Sequence, residues 1–431
     1  REVLDAYFNH FHEILPLIHL PSFDPAKCPA ILAAALSSIG VMFLREDSSS
    51  RDSWLFSANY LDLLSQWVAD WHFLAPAVFI RSSRWVLAID SSIIWPTGPV
   101  ESSSYDNSLC ILTNRRAAVD LSELPRTFPC MESLWQARTT SSWKALMSAM
   151  SESATDASPQ VIVRGLLSGQ PPPSDLPFWA RRLPTQLVPR QLWDAKQAEK
   201  AYMAECFSRV AQLKTEFCLL RGLKVLADSV AVPKDVLELL NSNIITLIVY
   251  YSHLHTSGDL LDLLVYVLRS SVRSVSSSDK HAIKAAAQKL ATSIQRNSQQ
   301  SRRMALHAAQ IVAVASKFLV LAPCEILRVF MGFTFLMAFA RYSRHDANRS
   351  HVDEAIDLVR LDDVRPSLTR KESVEQWVQY RGPAMVGPID NISDPKAFTE
   401  IKELALKTLG GLRRWGLAEK FIKIITVFEF D

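Results

Sequence analysis

The sequence predicts an all-α protein, a large multi-helix bundle with two irregular loop regions. Three observations carry this. Glycine is scarce, 12 residues in 431, and phosphate-cradling loops, tight βα turns and hairpins all consume glycine. Apolar residues recur at three- and four-residue spacing along most of the chain, and no two-residue alternation lasts long enough to require a sheet. Prolines stand near the expected helix starts, at Pro189, Pro233 and Pro323, where a missing amide hydrogen costs little.

Taken in order, Tyr7, Phe8, Phe11, Leu15 and Ile18 form one helical stripe, which Pro16 and Pro21 bend or end. Ala30 to Leu44 reads as a continuous apolar helix. Trp54 to Trp71 reads as another, with Leu55, Ala58, Leu61, Leu64, Trp67 and Val68 on one side. Residues 91–129 hold Pro96, Gly98, Pro99, a serine run at Ser102–Ser104 and Pro125. Residues 151–184 hold Pro171, Pro172 and Pro173. Both stretches read as irregular excursions. A train of helices then follows: Pro189 to Leu226, Lys234 to His255, Asp259 to Val275, Asp279 to Asn297, Ser301 to Val320 and Cys324 to Tyr342. Asp394 and Pro395 read as N-cap and first helical residue of a helix running to about Leu412. Gly416 breaks the chain before a last helix through Phe430. No repeat of fixed period and no clean linker stands out, so a single domain over residues 1–431 is the expectation.

Hydrophobic residues make up 48% of the chain and charged residues 21%, a globular balance that allows a sizeable core. Net charge is +3. The basic pairs Arg115–Arg116, Arg181–Arg182, Arg302–Arg303 and Arg413–Arg414 are scattered and read as solvated faces, not as the concentrated patch a nucleic-acid binder presents. Cys28, Cys110, Cys130, Cys206, Cys218 and Cys324 form no close pair, so they read as buried thiols and not as zinc ligands. The N-terminal residues carry no signal-peptide pattern. Met304 to Ala322 is interrupted by His307 and Lys317, and Val329 to Ala340 is too short for the roughly 20 residues a membrane span needs. Both read as buried helices, and no membrane association is expected.

No residue pattern for catalysis is complete. His10 and His12, like His253 and His255, are two apart, which turns the rings to opposite sides of a helix. His12–Glu13 begins H-E-x-x-H, but Pro16 occupies the closing position. Asp362–Asp363 suggests an aspartate-rich magnesium site, yet Pro366 follows at once and no second motif supports it. His345–Asp346 lacks the further ligands of a metal phosphohydrolase, with only His351 near. Leu260-Leu261-Asp262-Leu263-Leu264 fits the loose L-x-x-L-L pattern and reads as core. No catalytic or metal residue is assigned, and no cofactor is expected in this chain.

The opening run, Tyr7-Phe8-Asn9-His10-Phe11-His12-Glu13-Ile14-Leu15-Pro16-Leu17-Ile18-His19 and then Pro21 and Phe23, resembles the start of the fungal-specific transcription factor domain. A second block, Glu123-Leu124-Pro125, Pro129-Cys130, Glu132, Leu134-Trp135 and Trp143, is similar to a pattern common in that family. A third, Leu412 to Phe421 with Trp415-Gly416-Leu417, is similar to the C-terminal part of its zinc-finger members. Between about Ala75 and Leu121, where the family usually has two helices and a W-x-x-W-like stretch, the chain shows Trp85, Trp95 and a Ser/Pro-rich run instead.

The resemblance implies the regulatory domain of a nuclear, sequence-specific RNA polymerase II transcription factor. It implies DNA as a partner through a zinc-dependent module outside this chain, with zinc the cofactor of that module. It leaves a homodimer and a small-molecule inducer or coregulator open as partners. A pocket lined by aromatics such as Trp54, Trp67, Trp71, Phe330, Phe333 and Phe335 would serve such an inducer; core packing is the simpler role of these rings. The alternative is a stand-alone helical ligand- or partner-binding protein that has lost its DNA-binding module. A helical enzyme is the reading with least support.

Overall fold

The computed structural model describes residues 2–14, 18, 20, 23–28, 30–44, 107, 111, 137, 139–149, 158–173, 176, 178–200, 209–229, 232–255, 259–269, 277–296, 298–343, 358–363 and 368–428. Among them are fourteen α-helices and one pair of two-residue strands, so the all-α expectation holds. The chain divides into two compact units, Arg1–Ile245 and Thr246–Asp431. No helix among the described residues is long and apolar enough to cross a membrane.

In the first unit, α1 (Glu2–His10) packs against α2 (Ala30–Val41). After α3 (Thr140–Ala149), helices α4 (Pro159–Leu167), α5 (Phe178–Lys200) and α6 (Arg209–Asp228) pack on one another. The Ser158 hydroxyl caps α4 by accepting from the Val161 amide at 3.2 Å, with Pro159 in the first turn. α4 and the start of α5 both fall inside residues 151–184. The irregular reading of residues 151–184 is corrected there, with Pro171–Pro173 in the connection between the two helices; among residues 91–129 only 107 and 111 are described.

Pro189 does not start a helix. It and Pro184 both lie inside α5, although proline removes an amide donor there. Burial overrides local propensity. Residues 181–190 are buried without interruption, and the Thr185 hydroxyl donates to the Arg181 carbonyl at 2.6 Å in the turn Pro184 interrupts.

After α7 (Val236–His255), the second unit is built around α11 (Pro323–Tyr342), which packs on α8 (Asp259–Arg269), α9 (Ser277–Arg296), α10 (Ser298–Lys317), α13 (Ala397–Gly410) and α14 (Gly416–Val427). A helix contacted on every side must be apolar all round. Ile326, Val329, Phe330, Met331, Phe333, Phe335, Leu336, Met337 and Phe339 of α11 are all buried. Phe330 stacks on Phe421 of α14 with ring centroids 4.1 Å apart, so the Phe330, Phe333 and Phe335 rings serve the core. The buried Glu325 and Arg328 pair with each other one turn apart. In α8, Leu260, Leu261 and Leu264 are likewise core and Asp262 is exposed.

Strands β1 (Val359–Arg360) and β2 (Ala384–Met385) pair in parallel, Val359 opposite Ala384. The crossover between them is α12 (Leu368–Tyr380), which packs on α10. Arg302 of α10 donates to the Val378 and Gln379 carbonyls at 2.8 and 2.9 Å. These belong to the last turn of α12, where carbonyls lack helical partners and the dipole favours a cation. Arg303 points outward to an exposed ion pair with Glu375.

The solvated-face reading of the arginine pairs is thus corrected for Arg181, Arg182 and Arg302, all buried. Backbone carbonyls at loops and helix ends need donors, and a guanidinium carries five of them. Arg413 is exposed as expected; Arg115 and Arg116 lie outside the described residues. Of the cysteines, Cys28, Cys218 and Cys324 are half-buried thiols outside any disulfide.

Candidate functional site

The first helix brings most of the described signature residues together. Tyr7 is fully buried. Its ring packs against Phe8 (5.1 Å, edge-on), Phe11 (5.7 Å) and His12 (6.1 Å). Phe8 meets Phe23 at 5.1 Å, so the chain after α1 folds back on it. His10 leaves this cluster and stacks on Phe43 at 5.3 Å. The pair His10 and His12 is therefore split between two environments, as its spacing predicts.

A second set of polar side chains is buried in the same unit. Arg182, Gln186 and Arg190 stand four residues apart on one face of α5, all buried. Arg182 Nη1 donates to the Ile14 carbonyl at 2.7 Å, which joins α5 to the turn after α1. Arg190 Nε donates to the Asp194 carboxylate at 3.0 Å and Nη1 to Asn107 Oδ1 at 3.4 Å. Arg181, beside Arg182, donates to the carbonyls of Pro173, Leu176 and Ser229. Of the fourteen buried side-chain polar atoms that make no hydrogen bond among the described residues, four lie on α1, the turn after it and α5: Tyr7 Oη, His12 Nδ1, Arg182 Nε and Gln186 Oε1. Native folds leave few such atoms. These donors and acceptors are the chemistry the fold itself does not use, which makes the α1–α5 region the candidate site. Its recognition would be of polar or anionic groups through the guanidinium.

Burial controls the titration of this region. It raises the Tyr7 phenol and lowers His12 from about 6.5 to about 4. Between those two values the unfolded chain binds the proton that folded His12 refuses. Stability is therefore full above about pH 6.5 and falls as the pH drops toward 4, by up to about 3 kcal/mol. Urea midpoints taken from pH 7 to pH 4.5 will show this decline, and His12→Phe will flatten it. An unchanged slope in the variant would assign the acid sensitivity to other groups. Tyr7→Phe removes an unsatisfied buried hydroxyl and is expected to stabilise the fold by about 1 kcal/mol.

Trp415, Gly416 and Leu417 form the start of α14. Trp415 Nε1 donates to the Leu321 carbonyl at 3.2 Å, tying that corner to the segment before α11. Trp143 is half-buried on α3. Pro16, His19, Pro21, Pro129, Cys130, Leu134 and Trp135 lie outside the described residues, as do Trp54, Trp67 and Trp71 and the histidines His345 and His351.

His253 stacks on His307 at 4.4 Å. Burial, with the neighbouring His253 and Arg303 charges, holds His307 well below the ordinary histidine range against a bond to Gln310 that raises it. Asp362 is buried and paired to Arg360 Nε at 3.1 Å, at the end of β1 instead of on a helix face. Among the described residues no group of three His, Cys, Asp or Glu could hold a metal ion.

Sequence reasoning missed Arg182, Gln186 and Arg190, although their four-residue spacing was a signal. It was hidden by the neighbouring prolines, which argued against a helix there.

Residues 4–89 match the family profile of the fungal specific transcription factor domain. That span contains α1 from Leu4 onward, α2 and the aromatic cluster around Tyr7. No curated protein and no solved structure matches the chain.

Proposed function

On the premise that this chain carries a fungal specific transcription factor domain in residues 4–89, we propose that it is the regulatory domain of a nuclear, sequence-specific RNA polymerase II transcription factor. It controls a zinc-dependent DNA-binding module located outside these 431 residues, and has no catalytic activity of its own. The observation that supports this most is that the matched segment buries Tyr7 and Phe11 and is joined to α5 through the Arg182–Ile14 bond. Regulation then has a physical route. Anything that binds the unused polar groups of Tyr7, His12, Arg182 and Gln186 biases how α1 is held.

The test joins the whole chain to an unrelated DNA-binding domain and a constitutive activating segment, with a reporter as readout. The chain is expected to change reporter output severalfold, and Arg182→Ala, which frees the Ile14 carbonyl, to shift that output at equal protein level. Output indifferent to the chain would favour a stand-alone ligand- or partner-binding protein. A fluorescent fusion of the full gene product is expected in the nucleus; exclusion from it would overturn the reading.

A further inference from the structure

Helix α6 carries two apolar faces. Leu219, Leu223 and Leu226 are buried, on a helix that packs against α4 and α5. Val210, Leu213 and Phe217 follow at i, i+3 and i+7, and are 75%, 57% and 63% exposed. A rotation of about 100° per residue puts Phe217 and Leu219 on opposite sides of the helix. Scattered exposed apolar residues are ordinary, but three large ones in a row on one face mark an interaction surface.

The charges on that face are basic. Lys214 and Lys224 are exposed, and with Arg221 they stand three, four or seven residues from Val210 or Phe217, on the same side. The Arg221 guanidinium lies over the Phe217 ring at 5.9 Å, and its Nη2 is anchored to the Leu167 carbonyl of α4. Of the helix's two acids, Glu216 is half-buried on the flank and Asp228 is at the far end. Helix α4 has no acid and adds the exposed Arg164.

We infer that this face of α6 docks an acidic amphipathic helix, a segment with apolar side chains on one side and Asp or Glu on the other. Charge complementarity selects that occupant. A second copy of the same face would set Lys214, Arg221 and Lys224 against themselves. A nucleic acid would answer the cations but leave Val210, Leu213 and Phe217 wet. An acidic helix lays its apolar stripe on theirs and brings carboxylates to the cations around it.

The probe is a labelled synthetic peptide of about 20 residues, with Leu and Phe on one helical face and Glu and Asp elsewhere. Binding to the full chain is read by fluorescence anisotropy. Phe217→Ser is expected to weaken binding about tenfold or more. Lys214→Glu with Lys224→Glu should do the same and also remove the salt dependence. A scrambled peptide of equal composition should bind about tenfold more weakly. The altered side chains are exposed, so circular dichroism and melting should stay as in the wild type. Equal binding by wild type and Phe217→Ser, or by ordered and scrambled peptides, overturns the inference. So does concentration-dependent self-association in sedimentation velocity that Phe217→Ser abolishes, because the occupant is then a second copy.

Discussion

Gly40→Val is expected to separate α1 from α2 and to be among the most damaging single changes in the first unit. A Cβ at position 40 would lie 1.9 Å from the Val3 carbonyl oxygen, 2.9 Å from its carbon and 3.2 Å from the Tyr7 amide nitrogen. All three are backbone atoms, so no rotamer change relieves the clash, and the helices must move apart. Overpacking costs about 1–3 kcal/mol where side chains can yield; here the upper end or beyond is expected. Hydrogen–deuterium exchange should rise in peptides from α1 and α2 while α11 stays protected. Gly410→Ala supplies the contrast. A Cβ there meets nothing within 4 Å, and alanine favours the helix over glycine by up to about 1 kcal/mol, so that variant should be neutral or more stable. Loss of stability in both variants alike would mean that the close approach at Gly40 is not the cause.

Arg302→Met should cost the second unit about 3 kcal/mol, because two carbonyls in the last turn of α12 lose a charged donor together. The methionine keeps the packing of the stem, which isolates the hydrogen bonds. Arg302→Lys should recover only part of the loss, since one ammonium group cannot reproduce the guanidinium fork. The checks are the urea midpoint and exchange in α12, which should open before α10. If Arg302→Met matched the wild type, water would be serving those carbonyls and the arginine would be structurally idle.

Most of the helices from Lys234 onward were legible in the sequence because the apolar periodicity and the burial agree there. α11 is the clearest case: Pro323 sits in its first turn, and its uninterrupted apolar run matches a helix enclosed by five others. Pro189 shows the opposite. Local chemistry said helix start, but residues 181–190 of α5 are buried, and tertiary burial outweighed the cost of two prolines. The arginine pairs were misread for a related reason. Sequence shows a charge but not the unsatisfied carbonyls of Ile14, Val378 or Ser229 that call it inside. β1 and β2 were missed because a two-residue strand carries no period at all, and α12 because Val374, Trp377 and Val378 are too few to mark an apolar stripe. In the candidate site, Tyr7, Phe8 and Phe11 were legible as one stripe, whereas the Arg182–Ile14 bond that ties this segment to α5 depends on a contact between distant parts of the chain.

The enclosure of α11 also sets a problem in time. Its partners α13 and α14 are made after it, and at about 5–20 residues per second a ribosome needs on the order of ten seconds to pass from Tyr342 to Val427. Through that interval α11 has only its earlier neighbours to cover it, and Phe330 waits for Phe421. The nascent chain is then a natural client for chaperones that hold apolar helices. A premature stop after Tyr342 would make that passing state permanent, so such truncations should be cleared by proteolysis or collect in aggregates, not persist as a shorter working protein.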